Sequence, residues 1–446
     1  MDYNRTNIIA SLATTPGISA ISIIRISGSD LNPLFQLITG KKNYKDRYAD
    51  YCTIFGNDQK TILDRCILIY YTGPNSYTGE DVIEINCHGG NTIAKAILNM
   101  LYSHGSKPAL PGEFSYRAFL NNKIDLIEAE AISSLINSSS EYSNEIIMNH
   151  LNKSLTNQIL EINSQIINIL TIIEHELDFS EDEIDYTTNE SILKILQKIS
   201  ITIGQYLKNK KLIKIIHNGI NVIIMGVPNA GKSSLFNEMI GQNRTIVSNI
   251  EGTTRDSIEF QITINQYPIN LMDTAGYFNA NDDINIESVN QTMKYAKNAD
   301  IIIYLDEYDP INEFKKLNIK YDNIIFCKSK QDNAKTDKNN DQSINISSKK
   351  NYGIDNLKNE LSTVLSTNYE YDFLNDKVLI SNRQIIIFEK ADIVINNIKK
   401  ILQENTGMDI VASHMHELTN LLNECLGKVS NEEILNSIFS NFCIGK

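Results

Sequence analysis

A glycine-rich run near the middle of the sequence has the residue types and spacing of a phosphate-binding loop. It reads Gly226-Val-Pro-Asn-Ala-Gly231-Lys232-Ser233, follows a strand-length apolar run and precedes a predicted helix. In that context the backbone N–H groups of the loop and of the helix N-terminus surround phosphate groups. We expect Lys232 to pair with the β- and γ-phosphate oxygens, and the hydroxyl of Ser233 to bind Mg²⁺.

Two motifs further along the chain have the residues that a nucleotide-dependent switch needs. Asp273-Thr274-Ala275-Gly276 ends a predicted strand, which would place Asp273 behind the Mg²⁺ and the amide of Gly276 near the γ-phosphate. Between the glycine-rich loop and that strand, Thr254 can complete the shell of the metal. These positions predict hydrolysis of the bound nucleotide as well as binding.

Two loops later in the sequence predict which base the bound nucleotide carries. Ser329-Lys330-Gln331-Asp332 follows a predicted strand at the place where GTPases carry N-K-x-D. Asp332 can accept hydrogen bonds from N1–H and the exocyclic amine of guanine, which adenine cannot satisfy. Ser347-Ser348-Lys349 lies in the usual place of a second loop that contacts the base. In this order and spacing the motifs predict a GTPase.

The bulk composition narrows the class of protein. The 446 residues include 41 basic and 54 acidic side chains, a net charge of −13. This balance argues against tight binding of nucleic acid by the whole chain, because such binding needs clustered Lys and Arg; a local basic patch or a basic partner stays open. The 6 cysteines form no CxxC pair, which favours neither zinc nor a disulfide framework. With no secretory signal and no membrane-length apolar run, we expect a soluble cytoplasmic protein. The absent transit peptide favours a bacterial cytoplasm over an organelle.

The predicted secondary structure that positions these motifs differs from one segment of the chain to the next. Residues 1–118 mix short strands with turns and predict an α+β domain. Residues 119–214 are predicted to be helical, because apolar residues recur at steps of three and four from Ile147 to Ile173, as in one long helix. Residues 215–370 alternate strands and helices, as in a mostly parallel α/β P-loop GTPase (Ras-like) domain. Residues 371–446 return to helix, so we predict a multidomain chain in which the α/β domain is inserted into a split α-helical domain.

Several stretches, most of them outside the nucleotide motifs, together resemble one protein family more specifically than the GTPase motifs do. They include Thr15-Pro16-Gly17, Cys87-His88-Gly89-Gly90, Pro111-Gly112-Glu113-Phe114, the terminal Phe442-Cys443-Ile444-Gly445-Lys446 and residues 24–28, 77–84, 117–120, 123–126, 128–131, 228–235 and 252–256. Together they resemble the MnmE (TrmE) family of tRNA modification GTPases over all segments of the chain. The terminal motif is the most specific, since other GTPases have no reason to end this way.

The resemblance implies a fold and an activity. It implies an N-terminal α+β domain that binds tetrahydrofolate and dimerises, a split helical domain and an inserted G domain. It also implies a GTP hydrolase that works with the flavoprotein MnmG (GidA) and adds a carboxymethylaminomethyl or aminomethyl group to C5 of the wobble uridine of certain tRNAs. The implied assembly is a homodimer that forms a heterotetramer with MnmG, without membrane association.

The resemblance also implies a folate site near the dimer interface. In the family, 5-formyl- or 5,10-methylene-tetrahydrofolate binds there, and the matching positions are Arg25, Glu84, Lys123 and Lys446. Three basic groups and one carboxylate suit a ligand with an anionic glutamate tail and a pterin ring rich in donors. Taken singly, each residue is more typical of a surface ion pair. Only their coincidence with the family motifs favours a ligand site.

A K⁺ ion between the phosphates is a further implication, since its charge would replace an arginine finger. Asn229 matches the family's K⁺-coordinating Asn, although Asn is also an ordinary turn residue. Ser248, Ile250 and Thr253 match the loop whose oxygens complete the shell, and Ser248 replaces the usual Thr.

The full predicted GTP-binding set is Asn229, Ala230, Gly231, Lys232, Ser233, Ser234, Ser248, Asn249, Ile250, Glu251, Gly252, Thr253, Thr254, Asp273, Thr274, Ala275, Gly276, Ser329, Lys330 and Asp332.

Two positions depart from the family pattern. Asn285 lies where relatives carry a water-orienting Glu, and Asn can hydrogen-bond water but cannot take a proton. Glu287, two residues further on, is the predicted substitute, and Gly276 is the third predicted catalytic residue. Because Asn285 cannot take a proton, we predict slower hydrolysis than in relatives. Ser329 replaces the N-K-x-D Asn, which braces the P-loop and contacts guanine N7. We therefore predict weaker nucleotide affinity, with Asp332 preserving the preference for guanine.

Other interpretations stay open on the sequence alone. A ribosome-assembly GTPase has a similar G domain, but it would need an RNA-binding module and a basic surface that the sequence lacks. A nucleotide-binding scaffold without hydrolysis is kept open by Asn285. Cys443 is either a reactive thiol near the folate or a buried structural residue. Cys87 and His88 are predicted to pack, because the sequence offers them no partners for metal or triad chemistry.

Overall fold

The chain forms two compact units. The computed structural model describes residues 7–137, 141–178, 189–208, 219–241, 259–264, 267–273, 299–317, 320–332, 342–369, 380–404, 407–429, 432–440 and 442–445. The first unit comprises residues 1–133, 150–201 and 386–446, and the second comprises residues 134–149 and 202–385. The segments on either side of the second unit thus meet again in the first.

Thirteen helices lie in the described part of the chain. They are α1 (Asn32–Thr39), α2 (Asn91–Ser103), α3 (Glu113–Leu120), α4 (Leu126–Asn137), α5 (Glu141–Leu151), α6 (Ser154–Asp178), α7 (Asn189–Lys208), α8 (Lys232–Gly241), α9 (Pro310–Lys316), α10 (Ile354–Tyr369), α11 (Asn382–Glu404), α12 (Met408–Leu426) and α13 (Glu432–Ser440). Among these helices, none is long and apolar enough to cross a membrane.

The first unit contains a six-stranded sheet. Its strands are β1 (Ile9–Leu12), β2 (Ile21–Gly28), β3 (Asp50–Phe55), β4 (Ile62–Tyr71), β5 (Asp81–His88) and β6 (Lys107–Pro108), in the order β3-β4-β5-β2-β1-β6. Neighbouring strands are antiparallel except for β1 and β6. Alternate side chains such as Ile24, Leu68 and Ile85 are fully buried in the core that also contains residues of α1 and α2. This arrangement is the predicted α+β fold.

Helices from both ends of the chain pack together in the first unit. The side-chain amide of Asn163 on α6 donates to that of Asn423 on α12 at 3.3 Å, and His416 of α12 lies 2.9 Å from Glu174. Near the end of the chain, Phe439 of α13 is buried with Leu126 of α4. The predicted split helical domain therefore forms one packed body from the segments that flank the second unit.

The prediction of one long helix over residues 147–173 is wrong. Helix α5 ends at Leu151 and α6 begins at Ser154, and between them Lys153 has a left-handed φ of +61°. The apolar stripe nevertheless continues, with Leu155 and Ile159 fully buried. The step of four from Leu151 to Leu155 is the same as in a continuous helix, so hydrophobic spacing alone cannot reveal the break.

The second unit contains the predicted, mostly parallel sheet. Its strands are β7 (Ile220–Gly226), β8 (Glu259–Ile264), β9 (Tyr267–Asp273), β10 (Ile301–Asp306), β11 (Ile324–Lys328) and β12 (Ser343–Asn345), in the order β12-β11-β10-β7-β9-β8. Only β8 and β9 are antiparallel among these neighbours. Residues of α8 and α10 are buried in one core cluster of the sheet, and Phe314 of α9 belongs to another. The carboxyl ends of β7, β10, β11 and β12 therefore lie along one edge, where such folds bind ligands.

Candidate functional site

The glycine-rich loop leaves β7 at a position that only glycine can occupy. Gly226 has a φ of +155°, and a Cβ on it would lie 2.1 Å from the carbonyl oxygen of Leu305 on β10. Beyond it, the Ala230 N–H donates to the Val227 carbonyl at 3.2 Å. The first turn of α8 follows, with the Leu235 N–H donating to the Gly231 carbonyl at 3.0 Å. The loop thus leads directly from a buried strand to a helix N-terminus, as phosphate binding requires.

The charged group of this loop is held at its centre. Lys232 is 7% exposed, and its Nζ donates to the carbonyls of Gly226 and Val227, both at 3.0 Å. Ser233 and Ser234 are exposed on the first turn of α8. The buried ammonium and the helix N-terminus fit the oxygens of phosphate groups. The exposed hydroxyl oxygens are ligands of the kind that Mg²⁺ takes.

Asn229 has a conformation that explains its residue type independently of any ion. Its φ is +63°, in the left-handed region that Asn tolerates better than most residues, and its side chain is exposed. The turn role is therefore observed. Its predicted K⁺ partners Ser248, Ile250 and Thr253 lie outside the described residues, so K⁺ binding stays a prediction.

The two predicted base-contacting loops are joined in the folded chain. The hydroxyl of Ser347 donates to the carboxylate of Asp332. Lys350 supports both residues, because its N–H donates to Ser347 Oγ at 3.2 Å and its Nζ donates to the Asp332 carbonyl at 2.6 Å. The carboxylate predicted to read guanine is thus held by the second loop.

The position that departs from N-K-x-D is buried. Ser329 is 3% exposed, and its N–H donates to the Asp306 carbonyl at 2.9 Å. Its hydroxyl has no hydrogen-bond partner within the described ranges. Lys330 next to it has a φ of +57°, and its Nζ lies 3.1 Å from the carboxylate of Glu307.

The remaining predicted nucleotide residues are not described. These are Ser248, Asn249, Ile250, Glu251, Gly252, Thr253, Thr254, Thr274, Ala275, Gly276, Asn285 and Glu287. The backbone of Asp273 is described, and it pairs with Ile224 of β7, two residues before Gly226. The start of the D-T-A-G motif therefore lies beside the strand that carries the phosphate-binding loop.

Two of the four predicted folate residues form a pair in the first unit. Arg25 Nε and Nη2 donate to Oε1 of Glu84 at 2.9 and 2.8 Å, and both side chains are 19% exposed. The guanidinium carbon lies 5.5 Å from the ring centre of Tyr77 and 5.8 Å from that of Phe114. A partly open ion pair between aromatic rings suits a flat ligand with both donors and anionic groups.

The end of the chain completes this cluster. Arg25 Nη1 donates to the Gly445 carbonyl at 3.2 Å. Gly445 has a φ of +94°, and a Cβ on it would lie 2.6 Å from the Leu12 carbonyl of β1. Lys446 lies just outside the described ranges. Lys123 is exposed and lies near Gly79, since a Cβ added there would be 3.2 Å from Lys123 Cγ.

Two neighbouring groups were not predicted from the sequence. The hydroxyl of Tyr71 donates to Glu84 Oε2 at 3.4 Å, and burial together with this carboxylate raises the pKa of Tyr71. Arg117 is buried and donates to Glu80 at 2.9 Å and to Glu113 at 3.1 Å. This network holds the loop that carries Tyr77. Strand alternation could have placed Tyr71 near Glu84, since Ile69, two residues before it, pairs with Glu84.

The prediction that His88 packs without a chemical partner is wrong, because its side chain is 68% exposed and pairs with Asp64. Its ring Nδ1 lies 2.7 Å from Asp64 Oδ1, and its backbone N–H donates to Oδ2 of the same carboxylate at 2.8 Å. Burial would raise the pKa of Asp64, but hydrogen bonds from His88 and Arg65 outweigh it, so the pKa is lowered. The described residues contain no cluster of three potential metal ligands.

The two cysteines singled out from the sequence have different surroundings. Cys87 is buried and its thiol donates to the Ser22 carbonyl at 3.3 Å, which confirms a packing role. Cys443 is exposed, so the interpretation of it as a buried structural residue is wrong.

Comparison with known proteins gives matches over nearly the whole chain. Residues 8–123 match the family model described as "GTP-binding protein TrmE N-terminus", and residues 126–443 match the "MnmE helical domain". A protein named "tRNA modification GTPase MnmE" from Aquifex aeolicus is 34% identical over 450 residues, covering 98% of this chain and 99% of the relative. A protein of the same name from Francisella philomiragia is 35% identical over 458 residues and covers 100% of both chains.

A comparison with solved structures adds a weaker likeness. The G domain of the T. maritima FeoB iron transporter aligns with 33% of this chain and 98% of its own length, at 23% identity and a TM-score of 0.26. A score this low carries no argument about function.

Proposed function

The chain belongs to the MnmE (TrmE) family of tRNA modification GTPases, and on this premise we propose that it adds a carboxymethylaminomethyl or aminomethyl group to C5 of the wobble uridine of certain tRNAs. As a family member it is a GTP hydrolase. In the proposed activity it acts as a homodimer that assembles with a flavoprotein of the MnmG type in the bacterial cytoplasm, and K⁺-dependent pairing of its G domains drives the cycle.

One observation carries the nucleotide part of this proposal. The phosphate-binding loop with Lys232 and the Asp332–Ser347 pair both follow strands of the same sheet, at the same edge. Phosphates would be bound by Lys232 and the α8 N-terminus, and Mg²⁺ by Ser233. Asp332 would accept the hydrogen bonds of guanine. K⁺ would be bound by Asn229 together with Ser248, Ile250 and Thr253, and would supply positive charge between the phosphates.

The first unit supports the folate part of the proposal. Arg25 and Glu84 form a charged pair that is 19% exposed, and Gly445 brings the chain end to it. We propose that this pair, with Lys123 and Lys446, binds 5-formyl- or 5,10-methylene-tetrahydrofolate. The folate would supply a one-carbon group for the modification, while the chain's own side chains orient its ring and its glutamate tail.

The proposed activity is tested by the tRNA itself. A bacterial strain that lacks its own MnmE gene is complemented with this gene, and its tRNA nucleosides are measured by mass spectrometry. We expect wild type and Lys315→Ala, which removes an exposed lysine of α9, to restore the modified uridine. Lys232→Ala should not restore it, because the phosphates lose their buried ammonium. Failure of a well-expressed wild-type protein to restore the nucleoside would contradict the proposal.

Hydrolysis is tested separately with purified protein. We expect GTP turnover to be higher in KCl than in NaCl, whereas absence of turnover in both salts would indicate a nucleotide-binding scaffold. The slow hydrolysis proposed for this chain is tested with Asn285→Glu, which should raise the turnover number, and with Glu287→Ala, which should lower it if Glu287 has taken over the role. An unchanged rate for Asn285→Glu counts against the proposed effect of Asn285.

A further inference from the structure

We propose that Gln331 is a positioning residue for guanine recognition and braces the base-contacting loop in place of the N-K-x-D asparagine. The inference concerns a residue for which the family motif specifies no side chain. It rests on the proposed binding of guanine by Asp332, the residue that directly follows Gln331 in the chain.

The need for a brace comes from Ser329. An asparagine at this position would offer an amide that reaches beyond its own loop, but the serine hydroxyl is short. In the folded chain that hydroxyl is buried and meets no hydrogen-bond partner among the described residues. The only hydrogen bond that the structure gives Ser329 as a donor within those ranges is its backbone N–H to Asp306 at 2.9 Å. Side-chain bracing at this position is therefore lost.

Gln331 supplies other hydrogen bonds that fix this loop. Its side-chain Nε2 donates to the Ser329 carbonyl at 3.0 Å and to the Glu307 carbonyl at 3.3 Å. Its backbone N–H donates to the Ile346 carbonyl at 3.1 Å. Glu307, Ser329 and Ile346 directly follow β10, β11 and β12. One residue thus links the loops after three adjacent parallel strands, at the edge where the nucleotide would bind.

A second link between two of these loops is weaker. Lys330 Nζ lies 3.1 Å from the Glu307 carboxylate, but these side chains are 47% and 36% exposed. Exposed ion pairs contribute little because water screens them and two long side chains must be ordered. The half-buried amide of Gln331 is the stronger constraint on the loop.

This brace acts on guanine through Asp332. Ser347 orients the carboxylate from one side, while Gln331 fixes the backbone from which the carboxylate extends. Two parallel hydrogen bonds to the base require the carboxylate to stay within about 0.5 Å of its productive position. Loss of the brace should therefore weaken recognition of the exocyclic amine in particular.

The test compares GDP with IDP, which lacks the exocyclic amine. Binding of each to the full-length protein is measured by isothermal titration calorimetry. For Gln331→Ala we expect the affinity for GDP to fall about tenfold, with a smaller fall for IDP, so that the preference for GDP shrinks. Gln342→Ala, which removes an exposed glutamine of the same unit, should change neither affinity. Gln331→Glu keeps the size of the side chain but removes its donors, and it should behave like Gln331→Ala even if the alanine variant folds poorly.

A second substitution tests whether Gln331 positions the base-contacting loop or only stabilises the protein in general. In the Gln331→Ala background, Ser329→Asn should restore the preference for GDP, whereas the same change in wild type should have a smaller effect. An unchanged GDP-to-IDP ratio in Gln331→Ala and Gln331→Glu, including an equal loss of both affinities, overturns the inference. If wild type itself fails to prefer GDP over IDP, the proposed guanine site is wrong and the brace falls with it.

Discussion

Arg25 and Glu84 are direct cross-strand partners on β2 and β5, and two nitrogens of the guanidinium donate to one oxygen of the carboxylate. The other carboxylate oxygen accepts only a long hydrogen bond of 3.4 Å from Tyr71 among the described contacts. The pair is therefore ordered but not saturated, and it can still accept hydrogen bonds from a ligand.

Removing the guanidinium should weaken folate binding. For Arg25→Gln we expect the affinity for 5-formyl-tetrahydrofolate to fall at least about tenfold, because hydrogen bonds to charged groups contribute about 1.5–3 kcal/mol. Calorimetric titration of the full-length protein measures the change. Arg65→Gln removes an exposed arginine of the adjacent strand β4 and should leave the affinity unchanged. Equal affinities for wild type and Arg25→Gln would exclude Arg25 from the site.

A methyl group at Gly226 should damage the second unit. Gly226→Ala places a Cβ 2.1 Å from the Leu305 carbonyl and forces alanine to a φ of +155°. We expect destabilisation by about 2 kcal/mol or more, with loss of GDP binding. Gly204→Ala on α7 is the matched control, since its Cβ would meet no atom within 4 Å and alanine favours helix. Thermal unfolding followed by circular dichroism compares the two, and equal midpoints would contradict the prediction.

The hydroxyl of Tyr70 should stabilise the first unit. Tyr70 is 1% exposed, and its hydroxyl donates to Asp81 at 2.6 Å. Burial is the main cause that raises the pKa of Tyr70, and the hydrogen bond to Asp81 adds to it. Tyr70→Phe should lower the free energy of unfolding by about 1–3 kcal/mol, because Asp81 loses a buried donor. Tyr51 is 68% exposed, so Tyr51→Phe should cost less than about 0.5 kcal/mol. Urea unfolding by circular dichroism measures both, and a cost for Tyr70→Phe no larger than that for Tyr51→Phe would refute the role of the hydroxyl.

Alkylation should distinguish the cysteines. Burial raises the pKa of Cys52 and Cys87 to about 11 and that of Cys66 to about 12. At pH 8 these thiols stay protonated and therefore unreactive, whereas Cys443 is exposed. We expect iodoacetamide to modify Cys443 in the folded protein, and the buried cysteines only after unfolding in urea. Peptide mass spectrometry locates the adducts, and early modification of Cys66 would contradict the burial argument.

The sequence predicted the parts of the fold that depend on local pattern. The strand at 301–305 and the helix that starts at Lys232 are present within a residue or two, because hydrophobic run length and the P-loop motif are local signals. The break at Lys153 was missed since the apolar period continues through it. In the same way, Asp64 and His88 are 24 residues apart, and their contact depends on how strands pair, which no local pattern reports.

In the candidate sites, too, local motifs could be predicted from the sequence, whereas contacts between separate loops could not. The order of motifs was enough to predict that Asp332 and the loop at Ser347 lie together, and a hydrogen bond joins them. Residue types did not indicate that Gln331 links three loops. Its partners are backbone carbonyls of other residues, and their positions are known only from the folded chain.

The hydrogen bond from Arg25 to Gly445 also has a consequence for synthesis. The two residues are 420 positions apart, so a ribosome completes Arg25 long before it adds Gly445. The cluster around Arg25 can therefore assemble only after the intervening GTPase unit has been translated. A chain that terminates before Gly445 would lack this contact even with an intact N-terminal sheet.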